Sequence, residues 1–455
     1  MAPHFTRHFR QVFIAGAIVT MSQAALASDL TLGRVLNLAL AHSRTVRKES
    51  LEVENAQLNV AVMRAKARPT VIARGSANFA RESGEYQFSN ASSAINSIAG
   101  IPTYVPSQSA SVTLVQPLYH GGGIRAEIRG ARELSDAERA KLLSVTQQVI
   151  QGVVDDYAAV MKTTAELAWK ADTARLKGLA LEEEERKFQR GSGTRGAVAA
   201  ARRDLAEAEV ETAAATTNAH AARLVLGEDI GEPVDNVADL DIASTSHLEA
   251  SEASVNNAVE ASPDVAAAKH SLAAAEDDLT VSRAQTRPQI DLNAVAERDN
   301  NARGVERSSN FGALIVQMSL PLYAGGGLKA RIAQSRIAIR ERTIDVDDAR
   351  AKIRLILLKS ISDYQNLVKE ERQSLQSVEQ AETALMGARK QFDAGEIDRE
   401  AVIEKEEALD DVRSRLAEIR ADLLSSYYTA QLSLGRVSLD DGALIASASE
   451  HEDLK

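Results

Sequence analysis

The sequence predicts a mainly α-helical chain that also carries four β-strands of membrane-spanning length, laid out as two internal repeats. Three observations predict it. Of 455 residues only 4% are aromatic and 9 are proline, while 26% are charged and 44% apolar. That composition favours long helices over an aromatic-centred globular core. Four segments flanked by prolines alternate apolar with polar residues at a period of two. A ten-residue stretch returns, with conservative changes, 204 positions further on.

Residues 1–27 read as a secretory signal peptide. Arg7 and Arg10 give a positive start, residues 12–21 form an apolar run, and Ala25-Leu26-Ala27 supplies the small-x-small cleavage pattern before Ser28. A spanning helix needs about 20 apolar residues, twice the length of this run. The remaining chain has no apolar run of that length, so any bilayer crossing must be made by strands.

The repeat is read from its landmarks. Pro117-Leu118-Tyr119-His120-Gly121-Gly122-Gly123 returns as Pro321-Leu322-Tyr323-Ala324-Gly325-Gly326-Gly327, and at the same offset Phe188 and Gly191 match Phe392 and Gly395. Leu226-Gly227 recurs as Leu434-Gly435, four residues out of step. Upstream the offset is 219, matching Arg68-Pro69 to Arg287-Pro288 and Ser43 to Ser262. The difference lies between Pro69 and Pro117, where the first repeat carries the longer segment, as a hairpin-tip insertion would. The expected division is a first repeat over 28–227, an inter-repeat equatorial segment over 228–253, a second repeat over 254–435 and a tail over 436–455. The segment and the tail are polar and weakly periodic, and are expected to decorate the bundle from outside.

Each repeat runs helix, strand pair, long helix, turn, helix. The first helices are expected over 31–66 and 254–285, each closed by Arg-Pro because the residue before proline is pushed out of helical geometry. Strand pairs follow over 69–119 and 288–323. Val71, Ala73, Gly75, Ala77 and Phe79 alternate with Ile72, Arg74, Ser76 and Asn78, and Ala110, Val112 and Leu114 oppose Ser109, Ser111 and Thr113. In the second repeat Ile290, Leu292, Ala294 and Ala296 alternate with polar residues, and Gly312, Leu314, Val316 and Met318 share a face. Runs of this kind suit strands with one apolar and one polar face, at the roughly 9–11 residues of a membrane barrel strand. An isolated hairpin is marginal in water, so the four strands must pair with one another or with neighbouring copies. Pro69, Pro117, Pro288 and Pro321 mark the helix–strand junctions. Gly121, Gly122, Gly123, Gly325, Gly326 and Gly327 free the backbone to turn there.

Beyond each triple glycine a long helix is expected, over 123–189 and 327–391, each about 100 Å long at 1.5 Å per residue. Helices of that length need lateral support as coiled coil. The seam reads Ile353, Leu357, Ser360, Tyr364 and Leu367, resuming at Leu375 and Val378. The turns Phe188-Gln189-Arg190-Gly191-Ser192-Gly193 and Phe392-Asp393-Ala394-Gly395-Glu396 reverse the chain, with Gly191 and Gly395 supplying the left-handed conformation. Return helices then reach Leu226 and Leu434. The acidic run 182–185 reads as a solvated helix face.

Several functions are excluded. The chain has no cysteine, hence no disulfide, zinc-thiolate site, thiol nucleophile or lipidated N-terminal cysteine. Beyond the leader no two histidines are spaced to ligate a metal from a helix face. Neither triple glycine is followed by Gly-Lys-Ser/Thr, so neither is a phosphate loop. The formal charge of −11 disfavours nucleic acid. No catalytic constellation and no cofactor site is expected.

The repeat, both Pro-Leu-Tyr-x-Gly-Gly elements and both Phe-x-x-Gly turns together resemble the TolC-like outer membrane factors, over essentially the whole exported chain. The resemblance implies a homotrimer in which each chain gives four strands to a twelve-stranded β-barrel in outer-membrane lipid, continuous with a long periplasmic α-helical coiled-coil barrel that closes at its inner end. It implies a passive exit duct of a tripartite efflux or type I secretion system, working with a periplasmic adaptor (membrane fusion) protein and an inner-membrane transporter. On that resemblance the loops over 81–107 and 300–309 face the exterior, and the tips at Phe188, Gly191, Phe392 and Gly395 dock the adaptor. The acidic gate of such ducts falls, by alignment on Phe-x-x-Gly, at Ala401 and Glu404, with Glu400 and Glu407 a turn to either side. The alanine departs from a two-ring gate. The alternative is a soluble periplasmic coiled-coil adaptor or scaffold. That reading explains the leader and the helices but gives the four alternating segments no purpose.

Overall fold

A computed structural model of the chain describes residues 30–82, 103–238, 251–300 and 308–435. The leader, the 436–455 tail and most of both interstrand loops lie outside them. The first repeat comprises α1 (Leu32–His42), α2 (Arg44–Ala65), β1 (Thr70–Glu82), β2 (Thr103–His120), α3 (Gly123–Gln189) and α4 (Arg195–Ile230). The second comprises α5 (Glu252–Ala261), α6 (Pro263–Ala284), β3 (Gln289–Asn300), β4 (Ser308–Ser319), α7 (Gly327–Asp393) and α8 (Arg399–Ser433). The offsets hold in the structure. Both ends of α2 map onto both ends of α6 at 219, and both ends of α3 map onto both ends of α7 at 204.

The four strands form one antiparallel sheet in the order β1-β2-β3-β4. Its register carries the period-two pattern across all of them. Val71 lies opposite Leu114, Leu114 opposite Ala294 and Ala294 opposite Leu314, while one row along Ala73, Val112, Ala296 and Gly312 align. Every apolar set read from the sequence therefore falls on the same face. The other face aligns Arg74, Ser111, Glu297 and Phe311, then Ser76, Ser109, Asp299 and Ser309. The β2–β3 pairing joins the repeats, and among the described residues β1 and β4 have no strand on their outer edges.

The helices continue this order. Near the sheet α2, α3, α6 and α7 pack side by side, and toward the tips α3 packs on α4 and α8, and α8 on α7. Buried side chains collect at mid-height. One core gathers Leu32, Val35, Val154, Tyr157, Leu226 and Leu424, and a second gathers Val259, Leu357, Tyr364 and Leu423. A smaller cluster of Leu385, Ala388, Val402 and Leu409 joins α7 to α8 near the second tip.

Several expectations are corrected. The helix expected over 31–66 is two helices broken at Ser43, and the one over 254–285 is broken at Ser262. Both serines leave helical geometry, with ψ of 114° and 137°. Pro263 imposes the second break and opens α6 at its first position; at the first, the Ser43 hydroxyl accepts from the Val46 N–H at 3.2 Å and caps α2. The breaks turn α1 and α5 onto the two mid-height cores. On α7 the seam passes through Glu371 and Ser374, which are buried, and leaves Leu375 exposed; Val378 rejoins it. Glu371 is held there by Arg420 Nε at 3.2 Å. Leu226-Gly227 does not end α4, which runs one turn on to the left-handed cap Gly231, whose counterpart at offset 204 is Gly435, also left-handed. The repeats are therefore in step at their ends.

Over its described residues 228–238, the inter-repeat segment is part of the core rather than decoration, and residues 239–250 lie outside the described residues. It begins inside α4, buries Val234 and Val237, and pairs Val237 with Leu30 as an isolated parallel bridge. Tyr157, fully buried, donates its hydroxyl to the carbonyls of Leu30 at 3.0 Å and Ala238 at 2.6 Å. The strands also run further into the loops than expected, to Glu82 and from Thr103, and Pro117 lies within β2, where the register shifts between Pro117 and Tyr119.

Candidate functional site

A conduit has no single reacting centre, so its working parts are the sheet, the junction beneath it and the helical tips. Among the described residues nothing packs on the apolar sheet face. Leu314 is 72% exposed, and Val71, Phe79, Val316 and Met318 are exposed with it. One face is predominantly apolar and the other mixes charged and hydroxyl side chains with Ile72, Phe311 and Ile315; the more uniformly apolar face suits lipid and the mixed face water.

At the junction the chain passes from strand to helix through left-handed glycines. Gly121 and Gly122 have φ of 63° and 89°, and Gly325 and Gly326 have 61° and 82°. Gly122 and Gly326 cap α3 and α7. Gly121 is also crowded. A Cβ there would stand 2.7 Å from the Ala284 carbonyl oxygen, and the Arg287 guanidinium donates to the Gly121 carbonyl at 2.8 Å. Arg287-Pro288 thus works as a clamp from one repeat onto the triple glycine of the other. Gly325, Gly326 and Gly327 meet nothing within 4 Å. Beside the clamp His120 Nε2 and Asp291 Oδ1 are 2.8 Å apart across β2 and β3.

The two tips share one construction. The N–H groups of Ser192 and Gly193 donate to the Lys187 carbonyl, both at 3.0 Å, and the Glu396 N–H donates to the Gln391 carbonyl at 2.9 Å. Gly191 and Gly395 take φ of 78° and 76°. The return helices start on side-chain caps, Thr194 accepting from the Ala197 N–H and Asp398 from the Ala401 N–H, each at 3.1 Å. Phe188 and Phe392 stand beside these turns, 41% and 39% exposed, and Phe392 lies outside the small apolar cluster near the second tip.

The three gate candidates are not equivalent. Glu407 is 2.6 Å from Lys177 Nζ on α3, with its side chain 26% exposed. Glu400 is 3.5 Å from Lys187 Nζ. Glu404, 72% exposed, has among the described residues only its chain neighbour Lys405, at 3.0 Å. With Lys162 and Glu418 at 2.6 Å, these form a ladder in which α3 supplies cations and α8 anions, strapping the first repeat's descending helix to the second repeat's ascending one. Sequence reading missed the ladder because its partners lie more than 200 positions apart. The intra-hairpin pairs show a signal that could have been read: Arg202–Glu185 in the first repeat returns at offset 204 as Arg389–Glu406, with the charges exchanged.

At mid-height Asp156 on α3 faces Asp229 on the last turn of α4. Burial pushes the Asp156 carboxyl up to about 7, helped by a hydrogen bond to Asp229 and by the charges of Asp229 and Asp155. A folded-state pKa above the unfolded value contributes stability that is complete below about pH 4 and is lost as pH rises toward 7. The apparent dissociation temperature of the protein is therefore expected to fall between pH 4 and 7. In Asp156→Asn that slope should flatten, as thermal scans across pH would show.

A sheet with a bare apolar face, set on helices far too long for a globular core, defines an outer-membrane channel with a periplasmic stem. The outer membrane efflux protein family model matches residues 35–232 and 254–436, one match per repeat, and the chain belongs to that family. The outer membrane efflux protein BepC of Brucella suis is 23% identical over 452 residues, covering 98% of this chain and 93% of BepC. The alkaline protease secretion protein AprF of Pseudomonas aeruginosa is 23% identical, covering 74% of this chain and 72% of AprF. The solved outer membrane protein VceC of Vibrio cholerae has the same fold, with a TM-score of 0.74 at 18% identity over 89% of this chain and 96% of VceC. The chain is thus an outer-membrane channel protein of this family, with a large periplasmic part.

Proposed function

We propose that three copies of this chain form the passive exit duct of a tripartite export system, each giving four strands to a closed twelve-stranded barrel. The observation that carries this reading is the single antiparallel sheet with one apolar face and two open edges. An unpaired edge cannot persist in lipid, where every backbone group must be satisfied, so β1 of one copy takes β4 of another. The helices continue the strand order and close into a tunnel beneath.

The tips at Gly191 and Gly395 dock a periplasmic adaptor's helical hairpin, with Phe188 and Phe392 as apolar anchors. Glu404 is the candidate to face the narrow inner end, since Glu407 and Glu400 are drawn toward lysines of α3; a carboxylate ring there favours cations. An inner-membrane transporter selects the cargo, and the likeness to both BepC and AprF leaves efflux and type I secretion as its two classes. Photocrosslinkers placed at Ser192 and Glu396 in intact cells test the docking. Capture of one adaptor from both sites is expected, and no capture from either would remove the docking assignment.

A further inference from the structure

We propose that the stem binds the phosphate headgroups of anionic phospholipids directly beneath the sheet, through three positions that are cationic in both repeats: Arg64 and Arg283, Arg125 and Lys329, Arg132 and Arg336. That these side chains lie outside the tunnel rests on the duct reading above. Each pair is one position of the repeat, at offset 219 for the first and 204 for the others. Acidic positions nearby are not carried over, since Glu127 returns as Arg331, Glu133 as Ile337 and Asp277 as the exposed Leu58. All six cations are exposed, and none has a side-chain hydrogen bond or ion pair among the described residues. Against them stands Glu276, an exposed carboxylate one heptad below Arg283.

Two cross-helix pairs fix the side of the wall. Lys66 Nζ donates to Glu127 at 2.9 Å, and the Arg331 guanidinium donates to Gln285 at 2.9 Å. Each of those four residues stands two positions from Arg64, Arg125, Lys329 or Arg283, and two positions turn a helix by about 200°. The paired residues therefore share one side of the wall and the four cations the other. On α3 the stripe of Arg125 and Arg132 continues at heptad spacing into Ile150, Val153 and Tyr157, which pack with α1. On α7 the stripe of Lys329 and Arg336 continues into Leu357, Ile361 and Tyr364, which pack with Val255 and Val259 of α5. α1 and α5 thus form a second layer on the cationic side, and around an open tunnel that layer lies outside.

The height fits a headgroup layer. Arg125 and Lys329 fall in the first turns of α3 and α7, with Arg132 and Arg336 about 10 Å lower at 1.5 Å per residue. A Cβ at Gly123 would meet the Ala284 Cβ at 3.0 Å, which sets Arg283 level with Arg125. Just above them the chain leaves the sheet through Leu118, Tyr119, Leu322 and Tyr323, all exposed. Tyrosines at that level suit the girdle where lipid tails give way to headgroups. The headgroup layer is about 5–7 Å deep, and its charge is felt for about 8 Å beyond at physiological salt, so the whole cationic band lies within reach. A cation in the first turn also opposes the helix dipole. Both long helices carry one there, with no acidic residue in the same turn, and an anion outside the chain offsets that conflict.

Phosphatidylglycerol titrated into the purified exported chain in detergent, with retained lipid counted by native mass spectrometry, tests the band. Retention of phosphatidylglycerol over zwitterionic phosphatidylethanolamine is expected, fading as added salt screens it. Arg125→Gln/Arg132→Gln/Lys329→Gln/Arg336→Gln should lose that preference, with affinity down by at least about fivefold, the effect of one such cation at an anionic surface. Lys66→Gln/Arg331→Gln, at the same height on the opposite side of the wall, should keep it. Equal retention of both lipids by the parent protein, equal loss in the two variants, or full competition by inorganic phosphate would overturn the lipid band while leaving the duct standing. A parent protein that is monomeric in detergent would remove the duct reading, and the outward placement of these cations with it.

Discussion

Leu314→Arg is expected to abolish assembly in the outer membrane, whereas Ala313→Arg, one residue away, should leave it largely intact. Leu314 lies at the centre of β4 on the apolar face, aligned with Ala294 and, through it, with Leu114 and Val71. Ala313 lies on the opposite face in the row of Val295, Thr113 and Ile72. An arginine at the lipid midplane of a barrel costs about 2–4 kcal/mol, and the proposed trimer incurs that cost three times. An arginine turned into a water-filled lumen incurs little of it. Membrane fractionation followed by gels of unboiled samples reads the difference. Equal recovery of both variants would mean that the apolar face does not meet lipid.

Gly121→Ala should be the most damaging of the junction substitutions. A left-handed backbone costs a non-glycine residue about 1–2 kcal/mol, and this site adds a Cβ at 2.7 Å from the Ala284 carbonyl oxygen and 2.8 Å from the Arg287 Cβ. Relief requires β3 and α6 to shift away from α3, opening the contact between the repeats. Gly122→Ala is the control. It has a similar φ, and its Cβ would meet only the flexible end of Arg287, at 4.0 Å, so it should show the backbone cost alone. Thermal dissociation of purified protein separates the two; equal loss would mean the clamp does not constrain the junction.

Much of this architecture was legible in the sequence because it is periodic or repeated. The alternation fixed which residues share a sheet face, and the triple glycines located the start of both long helices. Local geometry was harder to read. The break at Ser262 was announced by Pro263, but Ser43 has only its own hydroxyl to cap α2, and its place in the repeat was the available clue. The four-and-three spacing carried on from Leu367 falls at residues 371, 374 and 378 and passes over Leu375; Glu371 was in step with the seam but hidden by its charge, which Arg420 meets from α8. The core role of Val234 and Val237 was hidden by polar neighbours, since a short segment packs through single side chains rather than through a stripe. Glu400, Glu404 and Glu407 look alike in sequence, and only the positions of Lys187 and Lys177 on α3 tell them apart.

The mass of the purified protein in detergent, with the bound detergent subtracted, tests the bilayer-crossing sheet most directly. A sheet with two open edges and one apolar face predicts three times the mass of one exported chain, extractable from the envelope only with detergent. A single-chain mass, in protein that leaves the periplasm with a salt wash, would contradict it.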